Sequence, residues 1–160
     1  MYKYSIARMA DILHQASLLY MASNIPIDYG TGLEYTSVEV HMLEYVIDHP
    51  GKTVTELSLD FDKTKAAISQ MMKKLEEKEL IERHEAPDSR KKQLYFATEK
   101  GQRLNAAHLY YDTNVFGKTL DLMRERCSTE EINTCFHVLE EFAIARRHKH
   151  YRSKAESDPR

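Results

Sequence analysis

The sequence has no tryptophan and only two cysteines, Cys127 and Cys135, in 160 residues. Two thiols cannot build a disulfide framework, so the chain reads as a reduced, cytoplasmic protein. Its longest unbroken apolar run is Leu18–Ala22, far short of the ~20 residues a spanning helix needs, and no membrane partner is expected. Met1-Tyr2-Lys3-Tyr4-Ser5 carries no continuous apolar core of a secretory leader. Also missing are a Gly-rich phosphate loop, a nucleophile elbow and a His-Glu-x-x-His pair. Without them an enzymatic reading has little to stand on, and no cofactor is expected. There is no internal repeat and no low-complexity tract.

What is present is an ordinary globular composition, 42% apolar and 30% charged. The length fits one domain, or two small lobes sharing a core. The formal net charge of -2 is unevenly spread. Residues 60–104 carry 11 basic and 9 acidic side chains, and residues 146–160 carry 6 and 2, whereas residues 1–59 and 105–145 each carry 3 and 7. A charged face acts locally, because salt screens its field within about 8–10 Å. The overall balance therefore neither supports nor excludes a polyanionic partner.

Residues 2–22 place Ile6, Met9, Ala10, Leu13, Ser17 and Tyr20 close to helical spacing, with Ile12, Leu18 and Leu19 widening the stripe. Such a helix either packs on a neighbour or is shared with a second copy of the chain. Pro26, Gly30 and Gly32 mark residues 24–35 as a loop. Thr36 or Ser37 caps the next helix, which His49-Pro50-Gly51 ends. A short helix over 54–59, a turn at Phe61-Asp62-Lys63 and a helix over 64–78 follow. The last has Ala67 or Ile68, Met71, Met72 and Leu75 on its apolar face. The period then changes to two, predicting strands at 80–84 and 93–97 around a polar turn that ends in Arg90-Lys91-Lys92. Thr98 caps a long helix running to about residue 126, and Ser128 with Glu131 opens a final one as a capping box.

Helix, short turn, helix and basic hairpin make up a winged helix-turn-helix, which lays its second helix in the DNA major groove. Thr64, Lys65, Ser69 and Gln70 are the early positions of that helix able to reach base edges, and Lys73 and Lys74 can neutralise phosphates. In the hairpin, Asp88 can hold Arg90 extended for a narrow minor groove, with Lys91 and Lys92 alongside. The bland alternative for the helix is a solvated Lys/Glu face.

The stretch from Ser69 through Leu75-Glu76, Leu80-Ile81 and Arg83, then Asp88-x-Arg90 and Ala97-Thr98-Glu99-Lys100-Gly101, resembles the MarR (multiple-antibiotic-resistance regulator) family over about residues 3–150. The family pattern is S-x-x-x-x-x-L-E-x-x-G-L-I-x-R, then D-x-R, then L-T-x-x-G. Glu79 stands where Gly is usual, so that helix end is either strained or built differently. Ala97 precedes Thr98 where Leu is common.

The resemblance implies a mainly α fold with a small β-hairpin wing, made of a winged helix-turn-helix lobe and a helical dimerisation lobe. The expected boundaries are 1–34 and 99–152 for the dimerisation region, 35–98 for the DNA-binding region and 153–160 for a disordered tail. It implies a homodimeric, sequence-specific regulator of transcription, a repressor, on a pseudo-palindromic double-stranded DNA site. A small-molecule effector would release or engage it. Ser69 and Gln70 would be the leading base readers and Arg90 the minor-groove arginine. The competing readings are a winged interaction module without DNA binding, against which Arg90-Lys91-Lys92 argues, and a metal-responsive member of the same family.

Three sensing chemistries are weighed. His41 and His108 lie on apolar stripes, and Asp112 follows His108 by one turn, giving three N/O groups of the kind zinc takes. Zinc-dependent members of the family look similar at the His41 and His108 positions, but their further Cys, Glu and His ligands are absent here. A hydrogen-bonded structural histidine is the expectation, and no metal ligand is assigned. Cys127 and Cys135 are two helical turns apart, too far for a bond within one helix. Ten tyrosines and seven methionines allow adaptable walls for an aromatic or lipid-like ligand.

Overall fold

The computed structural model describes residues 3–22 and 25–156. Six helices and four strands follow in order: α1 Ile6–Ala22, β1 Ile27–Asp28, β2 Glu34–Tyr35, α2 Ser37–Asp48, α3 Val54–Asp60, α4 Lys65–Glu77, β3 Ile81–Ala86, β4 Ser89–Ala97, α5 Glu99–Arg124 and α6 Thr129–Glu156. The fold is mainly α with an antiparallel hairpin, as expected from the sequence.

Helix starts follow local chemistry. Thr36 and Thr53 each accept a hydrogen bond from the backbone N–H three residues on, while Glu39 and Glu56 reach back to the cap, so α2 and α3 both open with capping boxes. Thr64 and Thr98 cap α4 and α5 in the same way, without the returning carboxylate. Ser128 and Glu131 close the box at α6.

The core lies where α2, α3, α4 and the root of the hairpin meet. It consists of Tyr35, Val40, Met42, Leu43, Val46, Leu57, Ile68, Met72, Leu75, Leu80, Ile81, Tyr95 and Leu104. Gly101 sits under the Leu80 carbonyl, where an added Cβ would come within 2.1 Å of that oxygen. Only glycine lets α5 begin so close to the strand entrance.

The outer helices pack differently. On α1, α5 and α6 large apolar side chains stand in solvent, among them Ile6 (77% exposed), Leu19 (75%), Tyr110 (74%), Leu122, Val138 and Phe142. The whole chain exposes 12445 Å². A compact monomer of 18.7 kDa would expose about 8,300 Å².

Four expectations need correction. The segment 24–35, read as loop, holds a two-residue ribbon with Ile27 opposite Tyr35; two-residue strands are too short to display alternation. Its turn is organised by Asp28, whose carboxylate accepts N–H bonds from Gly30, Thr31 and Gly32. The wing strands are longer than 80–84 and 93–97, because Ser89–Lys92 are already β. Lys91 and Lys92 face solvent, so no buried alternation marked this stretch. The long helix ends at Arg124, short of 126. Helix α6 continues through Glu156, past the break expected at 153; residues 157–160 lie outside the described residues.

Candidate nucleic-acid interface

Helix α3, the turn at 61–64 and α4 form the helix-turn-helix. Lys52 bridges to Asp60 at 2.9 Å, tying the residue before the Thr53 cap to the end of α3. Phe61 meets the Tyr45 ring edge-on with centroids 4.8 Å apart, which docks the turn on α2. Asp62 takes a left-handed φ of +49° and lets the chain swing into α4, a conformation Asp tolerates better than most residues.

Helix α4 has two sharply different faces. Ile68, Met72 and Leu75 are buried. Thr64, Lys65, Ser69, Gln70, Lys73 and Lys74 are all exposed, as are Ala66 and Ala67. The six side chains singled out for DNA are therefore all accessible on α4 and its cap, with small residues beside them that allow close backbone approach. Thr64 has a second duty, because its oxygen accepts the Ala67 N–H at 3.2 Å as the cap. Lys73 lies 3.6 Å from Glu77 with both side chains exposed, a pairing weak enough for a phosphate to displace.

The wing is held at its root. Arg83 Nε reaches Glu76 Oε1 at 3.2 Å, joining β3 to α4. Gly51 N–H donates to the Tyr95 carbonyl at 2.9 Å and Tyr95 N–H to the Lys52 carbonyl at 3.2 Å, so β4 also pairs with the segment before α3. The register shifts between Glu85 and Ala86, and Ala86 pairs with Ser89. Lys91 and Lys92 are exposed on β4, on the strand itself rather than in the polar turn where the sequence put them. Asp88 is exposed in the two-residue turn. Arg90 belongs to β4 by its backbone; its side chain, and with it the expected Asp88–Arg90 pairing, lies outside the described residues.

A second polar cluster sits where α2 faces α5. His41 and His108 stack edge-to-face with centroids 5.0 Å apart, and Tyr29 packs edge-on against both His108 and Tyr111. His108 is 2% exposed, and neither of its ring nitrogens has a hydrogen-bond partner among the described residues. The nearest carboxylate, Asp112 Oδ2, is 3.6 Å from Nε2. The expected hydrogen-bonded structural histidine is realised at His41, whose Nδ1 meets Glu44 Oε2 at 3.3 Å, but not at His108.

Burial pushes the His108 imidazole below its ordinary pKa against the opposing pull of Asp112. Burial and the Asp112 charge raise the Tyr29 phenol. These groups line a cavity of about 150 Å³. The ligand atoms of His41, Glu44 and His108 lie within 4.8 Å of one another. Glu44, one turn after His41 and 3.3 Å from its Nδ1, was missed in the sequence. The His-x-x-Glu spacing on one helix face was its only signal. Cys127 and Cys135 are both exposed and unbonded.

A helix-turn-helix followed by an antiparallel hairpin, with long helices on either side, defines a winged helix-turn-helix protein. Residues 31–92 match the model of the MarR family. The uncharacterised HTH-type transcriptional regulator YhjH of Bacillus subtilis (strain 168) is 27% identical over 108 residues, 68% of this chain; the match spans only 61% of YhjH's own length. Two solved structures superpose closely. The transcriptional regulator SlyA does so at 22% identity and TM-score 0.67, over 89% of this chain and 96% of its own. FabT of Streptococcus pneumoniae, in complex with DNA, does so at 20% identity and TM-score 0.64, over 87% and 93%. Over residues 31–92 the chain is thus similar to the MarR family, and it shares the fold of SlyA and FabT.

Proposed function

We propose that this protein regulates transcription by binding double-stranded DNA sequence-specifically as a homodimer, most simply as a repressor in the cytoplasm. The carrying observation is the accessible surface of α4 and its cap, where Thr64, Lys65, Ser69, Gln70, Lys73 and Lys74 are exposed around a buried apolar face. Ser69 and Gln70 offer hydrogen bonds to base edges, and the lysines take phosphates. The wing adds Lys91 and Lys92, and Arg90 on the same strand is the candidate for the minor groove.

A homodimer is supported by the surface that one chain leaves uncovered, about half as much again as a compact monomer exposes. Two copies joined through the outer helices would present two α4 helices to half-sites about one helical turn, ~10 bp, apart. The test is selection of bound fragments from a random DNA pool, followed by a gel shift across a salt series. Enrichment of a pseudo-palindrome and a steep fall of affinity with salt are expected. No enrichment and no salt dependence would favour an interaction module instead.

A second reading, regulation by a divalent metal, is favoured by the orphaned nitrogens of His108. His41, Glu44 and His108 form an N₂O donor set of the kind zinc takes, and Asp112 is a fourth group beside it. Zinc bonds of about 2.0–2.1 Å place ligands roughly 3.4 Å apart, so the side chains must close inward on binding. Repeating the selection with and without zinc checks this. Zinc should change operator affinity in the wild type and leave His108→Ala unchanged. The same cavity could instead take a small-molecule effector, in which case zinc would leave the affinity as it was.

A further inference from the structure

The reading helix must be held at an angle. Besides the Glu76–Arg83 pair to the wing, one side chain fastens its C-terminal end to α2 and the segment before it. Lys78, the residue that caps α4, sends its Nζ to Glu39 Oε1 at 2.7 Å and to the Glu34 carbonyl oxygen at 3.3 Å. The same ammonium stands 4.7 Å from the centre of the Tyr35 ring, within the range of a cation–π contact. Glu39 divides its carboxylate between two tasks. Oε2 closes the capping box of α2 through the Thr36 N–H at 2.8 Å, while Oε1 takes Lys78. Both side chains are largely covered, with 29% of Lys78 and 12% of Glu39 exposed, so the pair is less screened than a surface ion pair.

We propose that Lys78 is a positioning residue for DNA reading: bracketed by Glu39, Glu34 and Tyr35, it sets the tilt of α4 without touching DNA. The inference rests on the DNA-binding reading given above. Its physical basis is leverage. Gln70 lies eight residues from Lys78, about 12 Å along the helix axis at 1.5 Å per residue. A pivot error of roughly 5° at Lys78 therefore moves Gln70 by about 1 Å, enough to spoil hydrogen bonds whose useful range spans only about 0.5 Å. Phosphate contacts by flexible lysines tolerate the same shift. Losing the bracket should thus cost discrimination between sequences more than general affinity for DNA.

The experiment compares Lys78→Met, Lys78→Arg and Glu39→Gln with the wild type, on the selected operator and on unrelated DNA across a salt series. Each variant is first checked by circular dichroism. Lys78→Met is expected to weaken operator binding about tenfold, the size of a lost charged hydrogen bond. Its affinity for unrelated DNA and its salt slope should match the wild type. Glu39→Gln should reproduce the loss, and Lys78→Arg should recover most of it.

Equal weakening on all DNA, with the salt slope reduced by about one and Glu39→Gln silent, would make Lys78 a phosphate contact and overturn the proposal. Wild-type behaviour of Lys78→Met overturns it too. If Lys78→Met does not fold, Glu39→Gln alone decides, and its retaining full discrimination is the overturning result. Should the wild type select no sequence at all, the DNA reading itself fails before any variant is compared.

Discussion

Single residues carry the clearest local arguments. Glu79 occupies the position where the MarR pattern it resembles has glycine, and its φ is +59°. Of the two alternatives open from the sequence, a strained helix end is the one realised. The strain is held by neighbours: Lys100 pairs with the Glu79 carboxylate at 2.9 Å, and the Thr98 hydroxyl donates to its carbonyl at 2.7 Å. The Lys100 pair is exposed and contributes little, whereas a left-handed non-glycine residue is intrinsically disfavoured. Glu79→Gly should therefore raise Tm by about 2–4 °C in a thermal melt, the shift expected for relieving roughly 1 kcal/mol in a chain of this size.

Glu39 makes a second residue-scale prediction. Burial alone would raise its carboxyl, but the Lys78 ammonium and the Thr36 N–H and hydroxyl outweigh that and hold it below the usual value of 4.5. Glu56 is held low by the Thr53 hydroxyl and N–H. A depressed folded-state pKa stabilises the fold above the unfolded value and loses that contribution as pH falls through the folded value. Tm should begin to fall below about pH 6.5, where the unfolded chain protonates His108 and the fold resists it, and fall further below about pH 4.5, with Glu39→Gln showing the shallower drop in the lower range.

At the scale of elements, the reading helix and the wing were legible to different degrees. The buried face of α4 could be read directly, because a 3.6-residue period has one physical meaning; the helix was started one residue early, at Thr64, which is its cap. The wing strands were placed too far from their turn. Ser89–Lys92 belong to the strand through the hairpin's pairing with β3, and Lys91 and Lys92 are exposed, so no buried alternation announces it. The ribbon of β1 and β2 was invisible because two residues are too few to show a period. Gln70 on α4 should read one base: Gln70→Ala is expected to cost about 1–3 kcal/mol at a single operator position and to relax discrimination there. Lys74→Ala should weaken binding to every sequence and reduce the salt slope by about 0.9. Arg90→Ala should weaken binding without changing the preferred major-groove bases. Gel shifts on a panel of single-base operator variants check all three.

For the whole molecule the question is what covers the outer helices. Ile6 and Leu19 on α1, Tyr110 and Leu122 on α5, and Val138 and Phe142 on α6 are exposed apolar side chains of the kind the proposed homodimer would cover. Sedimentation equilibrium should give a particle of twice the 18.7 kDa chain mass. Phe142→Glu should shift it toward monomer and weaken operator binding, because one lobe alone reads half a site.

By itself the sequence determined what depends on neighbours along the chain: the helix caps at Thr36, Thr98 and Ser128, the apolar face of α4, and the change of period that announces the hairpin. These are set by backbone hydrogen bonds and side-chain spacing within one or two turns. Tertiary structure alone decided which distant groups meet. Lys78 finds Glu39 across 39 positions, and His108 comes to rest buried against His41 with its nitrogens unpaired. Contacts of that kind depend on how helices cross. Crossing is settled by packing the shared core, which no local spacing encodes.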